Sequence, residues 1–498
     1  MNSTVKTVSF SGLFANDVLV QVHISTGLPS ITIVGLASKS VAESKERVRA
    51  ALSNMGLALP PKRISVNLSP AGMIKEGAHF DLPIALAIMI AMGALPQEYL
   101  DETIILGELS LDGSILSVSG VLLAAMSASE KDMCLICPES NGAEAVWANE
   151  LKIIAAPTLH ALCNHLRGIL PLNYPVAKLS EPEKQKSDMA DIKGQETAKR
   201  ALEIAAVGGH NLLMIGPPGA GKSMLAERMK SILPELSAAE ALSITMIHSI
   251  NGTLPEQGLI SNRPFRDPHH SASMASLIGG GQKSKPGEVS LAHNGVLFLD
   301  ELPEFQRSAL DSLRQPLETG EVVIARANQT IRYPASFQLI AAMNPCRCGF
   351  LSDPNRACSR APDCAVQYQN RISGPMLDRF DMIIFLGSLS ASELLSLETG
   401  ETSAQIRTRV KNAPAQQSSK HRKQAQLNAK LSADFDFELT DEANELLHKS
   451  IDKFALTARG FHKILRVATS IQNLENKDVL YPHHLAEALS YRIQSIRT

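Results

Sequence analysis

Residues 216–223 read Gly216-Pro217-Pro218-Gly219-Ala220-Gly221-Lys222-Ser223 and match the phosphate-binding loop pattern at every fixed position. The context predicts a short apolar strand, 211–215, immediately before the loop and a helix, 223–232, immediately after it. Glycines let backbone N–H groups turn inward around phosphate oxygens, and the start of the following helix adds a positive dipole. We expect Lys222 to contact the β and γ phosphates of ATP and Ser223 to coordinate Mg²⁺.

Two further apolar runs are predicted to be strands that bring polar groups to the same edge of a sheet. The run 295–299 ends in Asp300 and Glu301, and the run 337–343 ends in Asn344. We expect Asp300 to face Mg²⁺ and Glu301 to polarise the attacking water. The amide of Asn344 suits the same water because it adds no charge, although amides at such positions are also typical of caps and turns.

The composition excludes several classes of protein. The chain has 498 residues, of which 44% are hydrophobic and 20% charged, and its net charge is −2. These values exclude a wholly disordered chain and a uniformly basic nucleic-acid coat, while local basic patches stay open. The longest apolar run, 82–96, is shorter than the about 20 residues that cross a membrane. With seven cysteines and no signal-peptide pattern, we expect a cytoplasmic, multidomain protein that has no membrane partner.

Changes in composition divide the chain into four predicted regions. Residues 1–170 have mixed α and β periodicity, and 171–187 contain three prolines, several charges and little periodicity, as in a linker. Helices and strands alternate in 188–388, which predicts an α/β core with a parallel sheet. Residues 389–498 contain a basic run, 405–430, followed by three capped amphipathic helices.

Long motifs after the phosphate-binding loop indicate which family of proteins the chain resembles. Arg263-Pro-Phe-Arg-Asp-Pro-His-His270, Leu277-Ile-Gly-Gly-Gly281 and the run 286–305 resemble the magnesium-chelatase-like AAA+ family, and more closely its YifB/ComM branch. The resemblance covers essentially the whole chain. It implies a Lon-protease-like N-terminal domain, an AAA+ P-loop core and a C-terminal helical lid.

The same resemblance implies a function. Family members of this kind are expected to form homohexameric rings that hydrolyse ATP. The ring would drive branch migration or unwinding of single-stranded and branched DNA during homologous recombination in natural transformation. Recombination proteins are expected as further partners.

Three arginines acquire roles from the resemblance. The segment 371–381 resembles the one that carries the arginine finger, and Arg379 is the first choice because it precedes a Phe-Asp pair. Arg371 is the second candidate. Arg459 resembles the second sensor arginine, which couples the state of the phosphates to the angle of the lid. Any one of these side chains alone is also typical of a structural ion pair.

The N-terminal region lacks the groups that a Lon-type peptidase needs. The motif positions for the nucleophilic Ser and its activating Lys are occupied by Ile84 and Leu122. Neither side chain can attack a carbonyl or accept a proton, so we expect no peptidase activity.

Four of the seven cysteines fall within nineteen residues, at Cys346, Cys348, Cys358 and Cys364. Four thiolates suit a structural Zn²⁺, although the spacing begins Cys-x-Cys rather than the commoner Cys-x-x-Cys. Four reduced thiols in a loop are the alternative. His269 and His270 are adjacent and are expected to bond loop carbonyls rather than to form a metal site or a proton relay.

Basic side chains in two insertions are candidates for DNA contacts. They are Lys283 and Lys285 in 271–286, and Arg326 and Arg332 in a predicted hairpin at 319–333. Such groups contact phosphates without reading sequence, and solvated loop charges are the alternative. Two other functions also stay open. One is a motor that remodels a protein or chelatase partner, and the other is a nucleotide-dependent scaffold, which would not need Glu301.

Overall fold

The computed structural model describes residues 2–177, 187–255, 258–281, 284–326, 329–351, 360, 362–388, 400–413, 438–454 and 456–492. The chain divides into two compact units. The first contains Met1–Pro182, Ala238–Ser261 and Gln282–Lys285, and the second contains Glu183–Ser237, Asn262–Gly281 and Pro286–Thr498.

A mixed sheet forms the centre of the first unit. In the described residues it has seven strands in the order β3-β4-β2-β1-β5-β8-β9, while β6 and β7 form a separate ribbon. Strands β1 and β2 pair antiparallel, and β5, β8 and β9 run parallel and are almost wholly apolar. The strands are β1 (Asn2–Ser11), β2 (Phe14–Ser25), β3 (Ser30–Val34), β4 (Arg63–Ser69), β5 (Thr103–Ile105), β6 (Glu108–Leu109), β7 (Ile115–Leu116), β8 (Cys134–Pro138) and β9 (Ile153–Ala156).

Helices cover this sheet, and one of them is apolar on every side. Helix α3 buries ten of its eleven residues, including Ile84, and Leu122 is fully buried in α4. Both positions that would carry a peptidase dyad are thus part of the hydrophobic core. The helices are α1 (Lys39–Ala42), α2 (Ser44–Asn54), α3 (Asp81–Ala91), α4 (Val121–Ser129), α5 (Gly142–Ala145) and α6 (Leu159–Leu166).

The second unit contains the parallel sheet that the alternation of helices and strands predicts. In the described residues it has five strands in the order β11-β14-β17-β10-β18, and every pair is parallel. Its central strands are continuous apolar runs, as expected for strands buried on both faces. The strands of the unit are β10 (Leu212–Ile215), β11 (Phe265–Arg266), β14 (Val296–Leu299), β15 (Glu321–Arg326), β16 (Gln329–Pro334), β17 (Gln338–Met343) and β18 (Met382–Phe385).

The hairpin predicted from the second insertion is present, since β15 and β16 pair antiparallel. Two short extended segments, β12 (Gly279–Gly280) and β13 (Lys285–Pro286), lie in the first insertion.

Helices from both halves of the second unit share one core with the parallel sheet. Met214 of β10, Ile340 of β17 and Ile464 near the C-terminus belong to the same buried cluster. The helices are α7 (Glu196–Gly208), α8 (Lys222–Ile232), α10 (Met274–Ile278), α11 (Glu288–Leu291), α12 (Arg307–Ser312), α13 (Arg314–Thr319), α14 (Asp363–Gln369), α15 (Gly374–Leu377), α16 (Ser403–Asn412), α17 (Asp441–Phe454), α18 (Ala458–Leu474) and α19 (Pro482–Ser490).

One helix that lies between these elements in sequence belongs to the first unit. Helix α9 (Ala238–Asn251) packs against α4, and the backbone N–H of Gly120 donates to the carbonyl of Ser249 at 3.1 Å. The buried carboxylate of Glu144 accepts from the Ser249 hydroxyl and from the backbone N–H of Leu122. The sequence predicts one α/β core over 188–388, and the place of α9 in the first unit departs from that prediction. No helix within the described ranges combines the length and apolar character needed to cross a bilayer.

Candidate nucleotide-binding site

The loop 216–221 connects the central strand β10 to helix α8 and has the backbone shape of a phosphate cradle. Gly219 and Gly221 have φ values of +80° and +84°, in the left-handed region that favours glycine. A Cβ atom at either position would meet no atom within 4 Å, so the space beside the loop is open. By contrast, a Cβ at Gly216 would lie 2.9 Å from Cβ of Leu386. The loop therefore fits a polyphosphate on its open side.

The side chain of Lys222 lies over this loop. Its Nζ donates to the carbonyl oxygens of Gly216 and Pro217 at 2.8 and 2.9 Å, and to Oδ1 of Asn344 at 3.0 Å. Burial lowers the pKa of Lys222, while Asp300 and Glu301 act in the opposite direction. Phosphate oxygens would take the place of these neutral acceptors and favour the charged ammonium.

Ser223 and Asp300 form a pair of oxygen ligands suited to Mg²⁺. The Ser223 hydroxyl donates to Oδ2 of Asp300 at 2.6 Å, although β14 and α8 are distant in sequence. The other carboxylate oxygen of Asp300 accepts from the backbone N–H of Glu301 at 2.9 Å. Hydroxyl and carboxylate oxygens are the donors that Mg²⁺ prefers, so these residues fit the ion.

Glu301 follows Asp300 in the chain but differs from it in backbone conformation and in its side-chain partner. Its backbone is left-handed, with φ +51°, and its side chain is 52% exposed. Nδ1 of His270 lies 3.4 Å from Oε2 of Glu301, and the ring of His269 lies 4.1 Å from that of His270. His269 Nδ1 in turn lies 2.8 Å from the Ser271 hydroxyl oxygen.

The prediction that these two histidines bond loop carbonyls did not include this contact of His270 with Glu301. No local sequence pattern predicts this contact, because it depends on the pairing of β11 with β14. Asp267, in the same segment, lies near the same edge. Burial and the charge of Asp300 raise the pKa of Asp267, which marks a local excess of carboxylates.

Arg379 and Arg459 meet in one cluster with Glu318 and Asp378. Arg379 pairs closely with Glu318, and its side chain is only 5% exposed. Arg459 donates to Asp378 at 3.1 Å and to Glu318 at 3.4 Å. Burial lowers the pKa of Arg379, against the opposing effect of Glu318.

This arginine cluster lies at the edge of the sheet opposite the phosphate loop. The side-chain amide of Asn211, the residue before β10, donates to the carbonyl of Arg379 at 3.0 Å. From Asn211 to Gly216 the chain is extended over five residues, or about 16 Å. Neither arginine is therefore brought together with Lys222 in the described chain.

Arg371 occupies a different place. It donates to Oε2 of Glu304 at 2.8 Å, and its guanidinium lies 5.9 Å from the ring centre of Tyr368. Glu304 follows Glu301 by three residues, so Arg371 lies on the side of the sheet that carries the phosphate loop. Its side chain is 45% exposed.

Three of the four clustered cysteines meet in the structure. The Sγ atoms of Cys346, Cys348 and Cys364 all lie within 4.8 Å of one another. Burial and the neighbouring Cys348 thiol raise the pKa of Cys346. Cys358, the fourth predicted ligand, lies outside the described residues.

Of the predicted DNA contacts, two can be placed. Lys285 is exposed, and its Nζ donates to the carbonyl of Asn251 at 3.0 Å in the first unit. Arg332, in the second unit, is 69% exposed and lies 3.4 Å from Glu321. Lys283 and the side chain of Arg326 lie outside the described part of the chain.

Comparison with known protein families gives three matches along the chain. The family "Magnesium chelatase, subunit ChlI" matches residues 188–394. "Subunit ChlI of Mg-chelatase" matches 20–141, and "Magnesium chelatase, subunit ChlI C-terminal" matches 400–492.

Two curated relatives match nearly the whole chain, and a third matches part of it. Competence protein ComM of Haemophilus influenzae is 44% identical over 97% of this chain and 95% of its own length. The protein YifB of Escherichia coli is 42% identical over 98% of this chain and 97% of its own length. The magnesium-chelatase 38 kDa subunit of Rhodobacter capsulatus is 30% identical over 31% of this chain and 49% of its own length. The chain therefore belongs to the YifB/ComM family of magnesium-chelatase-like proteins.

Proposed function

We propose that this chain is an ATPase and that ATP·Mg²⁺ binds at the loop 216–223. The observation that carries the proposal is the convergence of Lys222, Ser223, Asp300 and Asn344 through direct hydrogen bonds at one edge of a parallel sheet. These residues lie after three separate strands, β10, β14 and β17, so the arrangement depends on the whole fold rather than on a local motif. Nucleotide and Mg²⁺ use is also what the family implies.

The residues of the site have separable tasks in phosphoryl transfer to water. Lys222 and the loop N–H groups hold the phosphates, while Ser223 and Asp300 hold Mg²⁺, which neutralises charge on the phosphate oxygens. Glu301 accepts hydrogen bonds from the attacking water and orients it, and Asn344 holds the same water or the terminal phosphate. His270 acts through Glu301 as a positioning residue.

Catalysis in this scheme requires a second copy of the chain. Because Arg379 and Arg459 lie at the edge of the sheet opposite their own phosphate loop, we propose that they act on nucleotide bound by a neighbouring subunit. In a closed ring, every subunit receives an arginine from one neighbour and offers one to the other. We propose that this ring is a homohexamer. The exposed Arg371 is the second candidate for the finger. Because Arg379 is buried against Glu318, its role as the finger requires that this ion pair open on assembly.

We further propose that the ring moves on DNA. The full-length similarity to a protein named for competence supports a role in natural transformation. We propose that the activity is branch migration or unwinding of branched and single-stranded DNA. It would take place in the cytoplasm during homologous recombination. The exposed Lys285 and Arg332, together with Lys283 and Arg326, are the proposed phosphate contacts. Recombination proteins are the expected partners.

The decisive experiment is ATP-dependent branch migration of a synthetic four-way DNA junction. Wild type would be compared with Lys222→Ala, Glu301→Gln and the control Lys449→Ala, an exposed residue on α17 paired only locally with Glu445. We expect wild type and the control to resolve the junction into duplex arms, and the two site variants to leave it intact. Vigorous ATP hydrolysis without junction movement would instead favour a motor that remodels a protein or chelatase partner.

A further inference from the structure

Three thiols from two separate segments meet beside the phosphate loop. The Sγ atoms of Cys346 and Cys348 lie 3.1 Å apart, well beyond the about 2.05 Å of a disulfide bond. All three sulfur atoms, including that of Cys364, lie within 4.8 Å of one another. Tetrahedral Zn²⁺ with Zn–S bonds of about 2.3 Å separates its sulfur ligands by about 3.8 Å, which falls within this range. We propose that Cys346, Cys348 and Cys364 bind Zn²⁺ and that this ion sets the affinity of the nucleotide site.

The surroundings of the cluster suit a soft divalent ion bound to thiolates. Cys348 and Cys364 line a cleft of about 360 Å³ together with Arg347, Arg360 and Arg371. Three thiolates and one Zn²⁺ carry a net charge of −1, which the neighbouring guanidinium groups stabilise. Mg²⁺ and Ca²⁺ are disfavoured here because they prefer oxygen ligands.

The cluster is joined directly to the nucleotide site. Cys346 follows Asn344 by two residues, and Cys364 lies in the first turn of α14. The other end of α14 is tied to the same loop, since Nε2 of Gln369 donates to the carbonyl of Pro345 at 2.9 Å. A metal ion would therefore fix the loop after Asn344 to α14 at two points.

The same loop packs on the phosphate-binding loop. Gly349 has φ +83°, and a Cβ atom there would lie 2.5 Å from Cδ of Pro218. The turn 346–349 is closed by the N–H of Gly349, which donates to the carbonyl of Cys346 at 3.0 Å. Zn²⁺ at the thiols thus holds Asn344 on one side and supports Pro218 on the other, so that its loss loosens both walls of the phosphate site.

The first test measures metal content in untagged, full-length protein by elemental analysis. Wild type is compared with Cys346→Ser and Cys364→Ser, and Cys134→Ser in β8 of the first unit is the matched control. We expect close to one Zn²⁺ per chain in wild type and in the control, and a large loss in the two site variants. Near-zero zinc in wild type, or a disulfide between Cys346 and Cys348, would overturn the site.

The second test avoids variants that fail to fold. An organomercurial releases zinc from folded wild type, a chromophoric chelator records the release, and a fluorescent ADP analogue reports the dissociation constant before and after it. We expect the constant to rise about tenfold, or ~1.4 kcal/mol, and the change to be reversed by thiol and Zn²⁺. An unchanged constant after full release overturns the coupling. The dissociation constant of the ADP analogue rests on the proposed nucleotide site, whereas the metal content does not. Failure of the untreated protein to bind the ADP analogue would therefore count against the proposed function alone.

Discussion

The Nζ atom of Lys222 lies 3.0 Å from Oδ1 of Asn344, which joins the phosphate loop to the end of the neighbouring strand β17. The pair places the ammonium between the loop carbonyls and the position expected for the terminal phosphate. We therefore expect Asn344 to respond to the same phosphate that we propose Lys222 binds.

Two substitutions of Asn344 test whether its amide group or only its size matters for ATP hydrolysis. We expect Asn344→Ala to lower kcat for ATP hydrolysis by about 10²-fold, the loss typical of one polar group that acts in the transition state. Asn344→Asp keeps the shape but adds negative charge beside the phosphates, so it should weaken ATP binding more than ADP binding. Steady-state kinetics and nucleotide titrations measure both effects. Wild-type turnover in both variants would remove Asn344 from the site.

Glu301 and His270 should be distinguishable as the residue that acts on water and the residue that orients it. Glu301→Gln is expected to retain nucleotide binding and lose at least about 10²-fold in kcat. His270→Ala should lose about tenfold in kcat with KM unchanged, the size typical of an orienting partner, and His270→Asn should recover part of it. If His270→Ala altered only thermal stability, the histidine would be structural.

The parts of this site that the sequence predicts are those formed by residues close together in the chain. Contacts between residues that are distant in sequence are not predicted. The loop, the three strand ends and the hairpin β15–β16 follow from local periodicity and glycine placement, and the parallel sheet follows from the alternation of helix and strand. The contact of His270 with Glu301 depends on the adjacency of β11 and β14, which no local pattern encodes.

Two other features of the structure do not follow from the sequence, for the same reason. Helix α9 resembles any other buried helix in sequence, and its place in the first unit is set by distant partners such as Gly120 and Glu144. The burial of Arg379 could not be predicted because its partner Glu318 lies sixty-one residues earlier.

Acid should destabilise both units through buried neutral histidines. Burial lowers the pKa of His79, beside Phe80 and Asp81, and of His210, beside Ser470 and Asp381, to about 4. The unfolded chain binds a proton near pH 6.5 and the folded one only near pH 4, so stability is lost as pH falls through this window. At pH 5 the loss amounts to about 2 kcal/mol for each histidine.

His210→Gln removes one of these two groups and so tests the assignment. Urea unfolding at pH 7.5 and pH 5.0 should show a smaller acid-induced loss of stability for the variant than for wild type. Because His79 lies in the other unit, its share of the pH dependence should remain. Equal pH dependence in variant and wild type would contradict a neutral buried His210.

Contacts to DNA phosphates should be visible in the salt dependence of binding. Lys283→Gln combined with Lys285→Gln, and separately Arg332→Gln, remove groups proposed to displace counterions. We expect the slope of log K against log salt on single-stranded DNA to fall by about 0.7 for each true contact. Lys449→Gln, which changes an exposed charge elsewhere, should leave the slope unchanged. A slope unaffected in both the Lys283/Lys285 variant and the Arg332 variant would remove these residues from the interface.

Mixing experiments can decide which arginine acts across the subunit interface. Arg379 lies at the sheet edge opposite its own phosphate loop, so Arg379→Ala subunits have an intact loop and lack only what they offer a neighbour. Lys222→Ala subunits have the reverse defect. Each variant alone should hydrolyse ATP at a small fraction of the wild-type rate, whereas mixed rings contain interfaces with one good loop and one good arginine and should recover activity. Arg371 pairs with Glu304 of its own chain. If Arg371 acts within its own subunit, Arg371→Ala subunits should not restore activity when mixed with Lys222→Ala subunits. Recovery with Arg371→Ala and none with Arg379→Ala would assign the finger to Arg371 and leave Arg379 as a structural partner of Glu318.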